Sequence, residues 1–128
     1  MKSSIFVLSH GNFCQELVNS AEFIYGVIDN IYTFPLEKEV SLESYMGTIE
    51  KKINEIGGNI IFLTDIFGGT PSNVSTALIK KYGFLGFTGM SMPMLIYIVE
   101  SISQEKSNDE ILNNCKKIYD DSFHILTK

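Results

Sequence analysis

Residues 60–71, IIFLTDIFGGTP, decide the fold of this chain. The four consecutive apolar side chains at 60–63 are typical of a strand buried on both faces, as in a parallel sheet. The run ends at Asp65, and a glycine pair follows. Thr70 then precedes Pro71, a pattern in which the threonine caps a helix whose first residue is the proline. The stretch therefore predicts a strand, a polar turn and a helix in succession.

Other apolar runs predict more strands. Residues 5–8 (IFVL), 31–34 (IYTF) and 84–88 (FLGFT) have the length and composition of short buried strands. A last run at 123–126 (FHIL) predicts an antiparallel edge strand at the C-terminal end. Together with residues 60–63, these runs make a sheet of four or five strands.

Helical periodicity fills the segments between the strands. The predicted helix starts are Asn12, Ser41, Pro93 and Ser107, and the glycine pair at 57–58 ends the second helix. Strands that alternate with helices at this spacing indicate an α/β fold: an open, mostly parallel, doubly wound sheet with helices on both faces. The length of 128 residues suits one domain, residues 1–128.

The charge of the chain restricts the classes of partner that it can bind. The formal net charge is −5, and all ten basic residues are lysines. This composition argues against nucleic-acid binding. Because arginine is absent, phosphate chemistry would have to use lysine, backbone N–H groups or a partner protein. Since the sequence has no secretory pattern and no apolar run of membrane-spanning length, we expect a cytoplasmic protein.

The cysteines and the second histidine do not indicate a metal site or a cofactor site. Cys14 and Cys115 lie far apart in apolar-periodic segments and are predicted to be buried, reduced thiols. His124 has no partner at a useful spacing, and no role is assigned to it. Without clustered cysteines or histidines, neither a zinc site nor a bound cofactor is expected.

His10 and Asp65 are the candidate chemical pair. Ligands of doubly wound sheets bind at the carboxyl ends of the strands, and both residues follow predicted strands there. His10 is followed by Gly11 and by a helix start, where free N–H groups favour an anion such as a phosphoryl group. If the two strands are adjacent, the carboxylate fixes the tautomer of the imidazole and frees its other nitrogen to attack phosphorus. A histidine that merely ends its strand, and an aspartate that merely caps a turn, are the structural alternatives.

The loop after Asp65 is the candidate phosphate cradle. Gly68 and Gly69 lack a Cβ, so consecutive N–H groups of a loop leading into Thr70 and Ser72 would form a concave anion site. A glycine pair also occurs in ordinary turns, so the prediction depends on His10 and Asp65 lying nearby.

Three segments carry a resemblance to a known family. Residues 6–11 (FVLSHG), 63–73 (LTDIFGGTPSN) and 92–95 (MPML) closely resemble the IIA domains of the mannose family of the bacterial phosphoenolpyruvate-dependent sugar phosphotransferase system (PTS). The likeness spans nearly the whole chain. Two positions depart from the family pattern: Ser91 stands where members often have asparagine, and Leu36 where glycine is frequent.

The resemblance implies a phosphocarrier. It implies that the histidine-containing phosphocarrier protein HPr phosphorylates His10, and that the phosphoryl group passes to a histidine of a IIB domain during sugar uptake. It further implies Asp65 as the orienting carboxylate, Thr70 as a hydroxyl near the phosphoryl group, and indirect association with the membrane components IIC and IID. A homodimer is implied as well, with residues 123–126 as the segment exchanged between subunits.

Two alternatives share parts of this pattern. A related IIA-type domain feeds phosphoryl groups to a dihydroxyacetone kinase by the same histidine chemistry, and the sequence separates it poorly from a sugar carrier. A receiver-like signalling domain would also place an aspartate after its third strand. It would need an acidic pair after the first strand to hold Mg²⁺, where this chain has Ser9 and His10.

Overall fold

The computed structural model describes residues 2–128, which form four strands and five helices. The elements in chain order are β1 (Ser3–His10), α1 (Phe13–Tyr25), β2 (Ile31–Leu36), α2 (Leu42–Ile56), β3 (Asn59–Thr64), α3 (Thr70–Tyr82), β4 (Leu85–Phe87), α4 (Met92–Ser103) and α5 (Asn108–Asp121). The predicted alternation of strands and helices is confirmed.

The four strands form one parallel sheet in the order β2-β1-β3-β4. The chain steps from β1 to β2 on one side, then crosses back so that β3 lies on the other side of β1. The strand order thus reverses between β1 and β3, the place where α/β sheets open a crevice for chemistry. Leu8 pairs with Thr64 at this boundary, so His10 and Asp65 emerge from neighbouring strands.

Side chains of β1 and β3 alternate between two cores because these two central strands are buried on both faces. Ile5 and Val7 pack with α1, α4 and α5, whereas Phe6 and Leu8 pack with α2 and α3. Helices therefore cover both faces of the sheet, which confirms the doubly wound prediction. The thiols of Cys14 and Cys115 are buried and unpaired, as predicted, and burial raises the pKa of both.

Helix ends follow the sequence signals with two exceptions. Ser41 caps α2, Gly57 ends it with a positive φ of 65°, and Ser107 with Glu110 forms a capping box on α5. Asn12, by contrast, occupies the N-cap position of α1 without a side-chain hydrogen bond. At α3, Gly69 rather than Thr70 is the N-cap, and Thr70 is already the first helical residue.

The predicted C-terminal strand is not formed within the single chain. Residues 123–128 have no regular secondary structure, and Phe123, Ile125 and Leu126 are exposed. A strand needs a neighbour to satisfy its backbone N–H and C=O groups, and this segment pairs with none of β1 to β4.

Candidate functional site

His10 and Asp65 are in direct contact at the carboxyl end of the sheet. Nδ1 of His10 lies 2.8 Å from Oδ2 of Asp65, and the same oxygen accepts the backbone N–H of His10 at 2.8 Å. Oδ1 of Asp65 accepts the backbone N–H of Ile66, also at 2.8 Å. Three donors therefore converge on one carboxylate and fix its orientation.

The hydrogen bonds set the ionisation of Asp65. Burial of the carboxylate opposes its charge, but the bonds from the backbone and ring of His10 and from Ile66 prevail and hold the pKa of Asp65 below its ordinary value. An ionised carboxylate only accepts hydrogen bonds, so Nδ1 of a neutral His10 must carry the proton. The lone pair of the ring then lies on Nε2.

The ring edge of His10 that carries Nε2 lies against Gly69. A Cβ placed on Gly69 would lie 2.7 Å from Cε1 of His10, closer than real Cβ atoms approach, and 3.1 Å from Nε2, a tight contact. The absence of a side chain at Gly69 therefore makes room for the imidazole. The histidine side chain is 49% exposed and the aspartate side chain 12%, so the imidazole is accessible to solvent while the carboxylate is shielded.

The remaining predicted phosphate residues lie at the N-terminus of α3 and beside His10. Gly68 has a φ of +92°, the left-handed region that favours glycine, whereas Gly69 is extended with a φ of −84°. Thr70 is the first residue of α3 and is half-buried. Ser72 is 3% exposed, so its side chain belongs to the interior. Only the backbone N–H of Ser72, and not its hydroxyl, is therefore available to bind an anion at this site.

Gly11 ties the histidine turn to the neighbouring strand. It has a φ of +60°, and its N–H donates to the carbonyl of Leu36 at 2.8 Å. Leu36 also pairs with His10 in the β1–β2 register. Leu36, one of the two departures from the family pattern, therefore supports the site through its backbone. The other departure, Ser91, caps α4 by accepting the N–H of Met94 at 3.3 Å.

Sequence reasoning missed Ser9, which makes the hydrogen bond expected of a cap for α1. Its hydroxyl accepts the N–H of Cys14 at 2.8 Å, in the first turn of α1. The residue is fully buried although it is polar and adjoins the exposed His10. A serine that ends a continuous apolar strand was the available signal, because a buried hydroxyl needs a partner.

The family model described as the PTS system fructose IIA component matches residues 4–116, which include His10, Asp65 and the glycine loop. The chain belongs to this family of PTS IIA components. It is accordingly a phosphocarrier component of PTS sugar transport, and the resemblance seen in the sequence is confirmed.

Curated relatives of this PTS IIA component carry sugar-specific names. The chain is 26% identical over 128 residues to the PTS system fructose-specific EIIA component of Bacillus subtilis, covering 98% of this chain and 87% of the relative. It is 27% identical over 117 residues to the PTS system sorbose-specific EIIA component of Lacticaseibacillus casei, covering 89% and 83%.

Solved structures share the fold of the domain. The phosphotransferase system component EIIA from Streptococcus agalactiae superposes with a TM-score of 0.88 at 24% identity, covering 96% of each chain. The mannose/sorbose-specific IIA subunit from Enterococcus faecalis gives a TM-score of 0.86 at 22% identity, covering 100% of this chain and 97% of the other. In the described residues 2–128, no helix has both the length and the apolar character needed to cross a membrane.

Substitution Asp65→Asn tests the orienting contact. An amide has one acceptor oxygen for the three donors that now share the carboxylate, and its NH₂ group must face either His10 or the N–H of Ile66. We expect a folded protein whose imidazole loses its fixed tautomer, with phosphoryl transfer slowed by roughly 100-fold or more. Long-range ¹H–¹⁵N NMR of the ring and the transfer rate are the measurements. Asp29→Asn, at an exposed residue just before β2, is the control, and parental behaviour of Asp65→Asn would contradict the contact's role.

Substitution Gly69→Ala tests the space reserved for the ring. The new Cβ collides only with the end of the His10 side chain and with no backbone, so the ring should be displaced at little cost in stability. We expect transfer to His10 to fall by roughly tenfold or more. Gly47→Ala is the matched control, since a Cβ there meets nothing in helix α2 and should stabilise by up to about 1 kcal/mol. Equal transfer rates in the two variants, measured beside thermal melting, would show that Gly69 is an ordinary turn residue.

Proposed function

We propose that His10 accepts the phosphoryl group on Nε2 from a phosphohistidine of HPr and passes it to a histidine of a IIB domain. The observation that carries this proposal is the hydrogen bond between Nδ1 of His10 and Asp65, which leaves Nε2 as the unprotonated, exposed nitrogen. Residues 1–128 would form one such IIA domain and work in the cytoplasm.

The step exchanges one phosphorus–nitrogen bond for another. The lone pair of Nε2 attacks phosphorus as the bond to the donor's imidazole breaks, and the bonding electrons remain on the donor ring. Positive charge that develops on His10 is met by the ionised Asp65 across the 2.8 Å hydrogen bond. No cofactor or metal takes part in this exchange. Transfer to the acceptor is the same exchange with His10 as the donor: the imidazole of the acceptor attacks phosphorus, and the bond from phosphorus to Nε2 breaks.

Backbone N–H groups would hold the transferred phosphoryl group. Two helix N-termini lie beside His10: α1 begins three residues after it, and α3 begins at Thr70, next to Gly69. Gly11, Gly68, Gly69, Thr70 and Ser72 are the residues that we assign to this cradle. A helix N-terminus favours an anion by roughly 0.3–1 kcal/mol when exposed and up to about 2 kcal/mol when partly buried. Since the chain has no arginine, further positive charge must come from lysine or from the partner.

Exposed apolar side chains next to His10 would receive the partner proteins. Ile66 and Phe67 follow Asp65 and are 58% and 85% exposed, and Phe13 begins α1 with 49% exposure. A partner whose histidine reaches Nε2 would cover these side chains, because they lie close to His10 and Asp65 in the chain. Burial of a large aromatic ring by the partner would therefore supply binding energy at the site.

A second copy of the chain would pair with the C-terminal segment. β4 is one of the two edge strands of the sheet, and residues 123–126 carry exposed apolar side chains and pair with none of the four strands. We propose a homodimer in which this segment adds to the sheet of the partner subunit. Sedimentation analysis of the full chain and of a chain truncated after Ser122 checks it: the full chain should be dimeric and the truncated chain monomeric, and identical masses per particle would contradict it.

Phosphorylation of the purified chain tests the central step. Given phosphoenolpyruvate, enzyme I and HPr, the chain should gain one phosphoryl group that is labile in acid and stable in alkali, as a phosphoramidate is. His10→Ala should abolish the label and His124→Ala should retain it; the reverse result would overturn the assignment. Delivery from the labelled chain to a IIB domain supports sugar transport, whereas delivery only to a dihydroxyacetone kinase would favour the alternative pathway.

Substitution Phe67→Ala tests the docking role. Removing the ring should raise KM for phosphorylated HPr by roughly tenfold, equivalent to about 1.4 kcal/mol, and change kcat little, since the residue binds the partner but not the transferred group. Phe23→Ala is the control, because Phe23 is 94% exposed near the opposite end of α1. An unchanged KM in Phe67→Ala, or an equal rise in both variants, would contradict docking at Phe67.

A further inference from the structure

Ser9 bridges the turn that presents His10. Its hydroxyl donates to the carbonyl of Gly11 and accepts the N–H of Cys14, each at 2.8 Å. Both partners follow His10 in the chain, while Ser9 precedes it. The fully buried hydroxyl therefore links the end of β1 to the first turn of α1 across the exposed histidine.

Two hydrogen bonds hold Gly11, one of them from Ser9. The N–H of Gly11 donates to the carbonyl of Leu36, and its own carbonyl accepts the Ser9 hydroxyl. Gly11 has a φ of +60°, so the turn uses a conformation that these two bonds hold in place. Asp65 anchors the ring and the N–H of His10, whereas Ser9 anchors the chain that follows it. The histidine thus has two separate supports.

Within residues 2–128, no other side chain makes the hydrogen bond that Ser9 makes at the start of α1. Asn12 stands at the N-cap but makes no side-chain cap bond. Without the Ser9 hydroxyl, the N–H of Cys14, which is buried, would lose its acceptor, and the carbonyl of Gly11 would lose its donor. Both groups would seek new partners, and the turn beside His10 would shift to reach them.

The ring has little room for such a shift. Gly69 already fits against His10 so closely that a single added carbon would lie 2.7 Å from Cε1. A displacement of a few tenths of an ångström changes the approach of Nε2 to the N-terminus of α3. Transfer rates are sensitive to misplacement on this scale.

We propose that Ser9 is a positioning residue for phosphoryl transfer at His10, acting through the Gly11 turn and not by contact with the reacting nitrogen. The proposal rests on the proposed function of His10. It predicts that loss of the Ser9 hydroxyl lowers the rate of the chemical step and leaves binding of the phosphorylated donor unchanged.

Three variants separate positioning from general stability. Ser9→Ala should lower kcat for transfer from phosphorylated HPr by roughly 10- to 100-fold while KM changes less than about twofold. Ser9→Thr keeps a hydroxyl and should recover most of kcat. Ser101→Ala is the matched control: Ser101 is equally buried, its hydroxyl donates to the carbonyl of Tyr97 at 2.7 Å, and it lies in α4 near the opposite end of the sheet. Ser101→Ala should keep the parental kcat.

A second measurement does not depend on phosphorylation. In the unphosphorylated protein, the nuclear Overhauser effect between the Cε1 proton of His10 and the Cα protons of Gly69 reports the position of the ring. We expect it to weaken in Ser9→Ala and to persist in Ser9→Thr and Ser101→Ala. A parental chain that accepts no phosphoryl group would overturn the proposed function. The Overhauser effect would then still show whether Ser9 positions the ring of His10. Parental kcat and a parental Overhauser effect in Ser9→Ala, or equal losses of kcat in Ser9→Ala and Ser101→Ala, would overturn the positioning role.

Discussion

The carboxylate of Asp65 is the constraint on which the site depends. It accepts the backbone N–H of His10, the Nδ1–H of the same residue and the N–H of Ile66. The two bonds from His10 exist because β1 and β3 are parallel neighbours that end at the same edge of the sheet. The crossover that reverses strand order, and the two cores that bury both faces of β1 and β3, therefore serve one contact at their carboxyl ends.

Negative charge predominates in a chain that we propose to carry an anionic group. Its net charge is −5, it has no arginine, and a carboxylate lies beside the reacting imidazole. The backbone N–H groups that we assign to the phosphate cradle, at two helix N-termini, would offset the negative charge locally, without flexible side chains that a partner would have to displace. A modest hold on the phosphoryl group suits a carrier, because a group that is bound too firmly is not passed on.

The sequence was sufficient for the outline of the site but not for its supports. Continuous apolar runs predicted the strands, and the position of His10 and Asp65 at strand ends predicted their common edge. Their contact required adjacent strands, which periodicity alone does not determine. Ser9 was missed because Asn12 has the side chain of a typical cap, and only the turn at Gly11 brings the earlier hydroxyl to Cys14. The apolar run at 123–126 resembles a strand, yet within one chain it lies without a neighbour.

The central claim is that Asp65 directs reaction to one nitrogen of His10. The most direct measurement is the ³¹P–¹⁵N coupling pattern of the phosphorylated protein with ¹⁵N-labelled histidine, which identifies the ring nitrogen that is bonded to phosphorus. We expect phosphorus on Nε2 of His10, with the proton retained on Nδ1. Phosphorus on Nδ1, the nitrogen that lies 2.8 Å from the carboxylate, would contradict it.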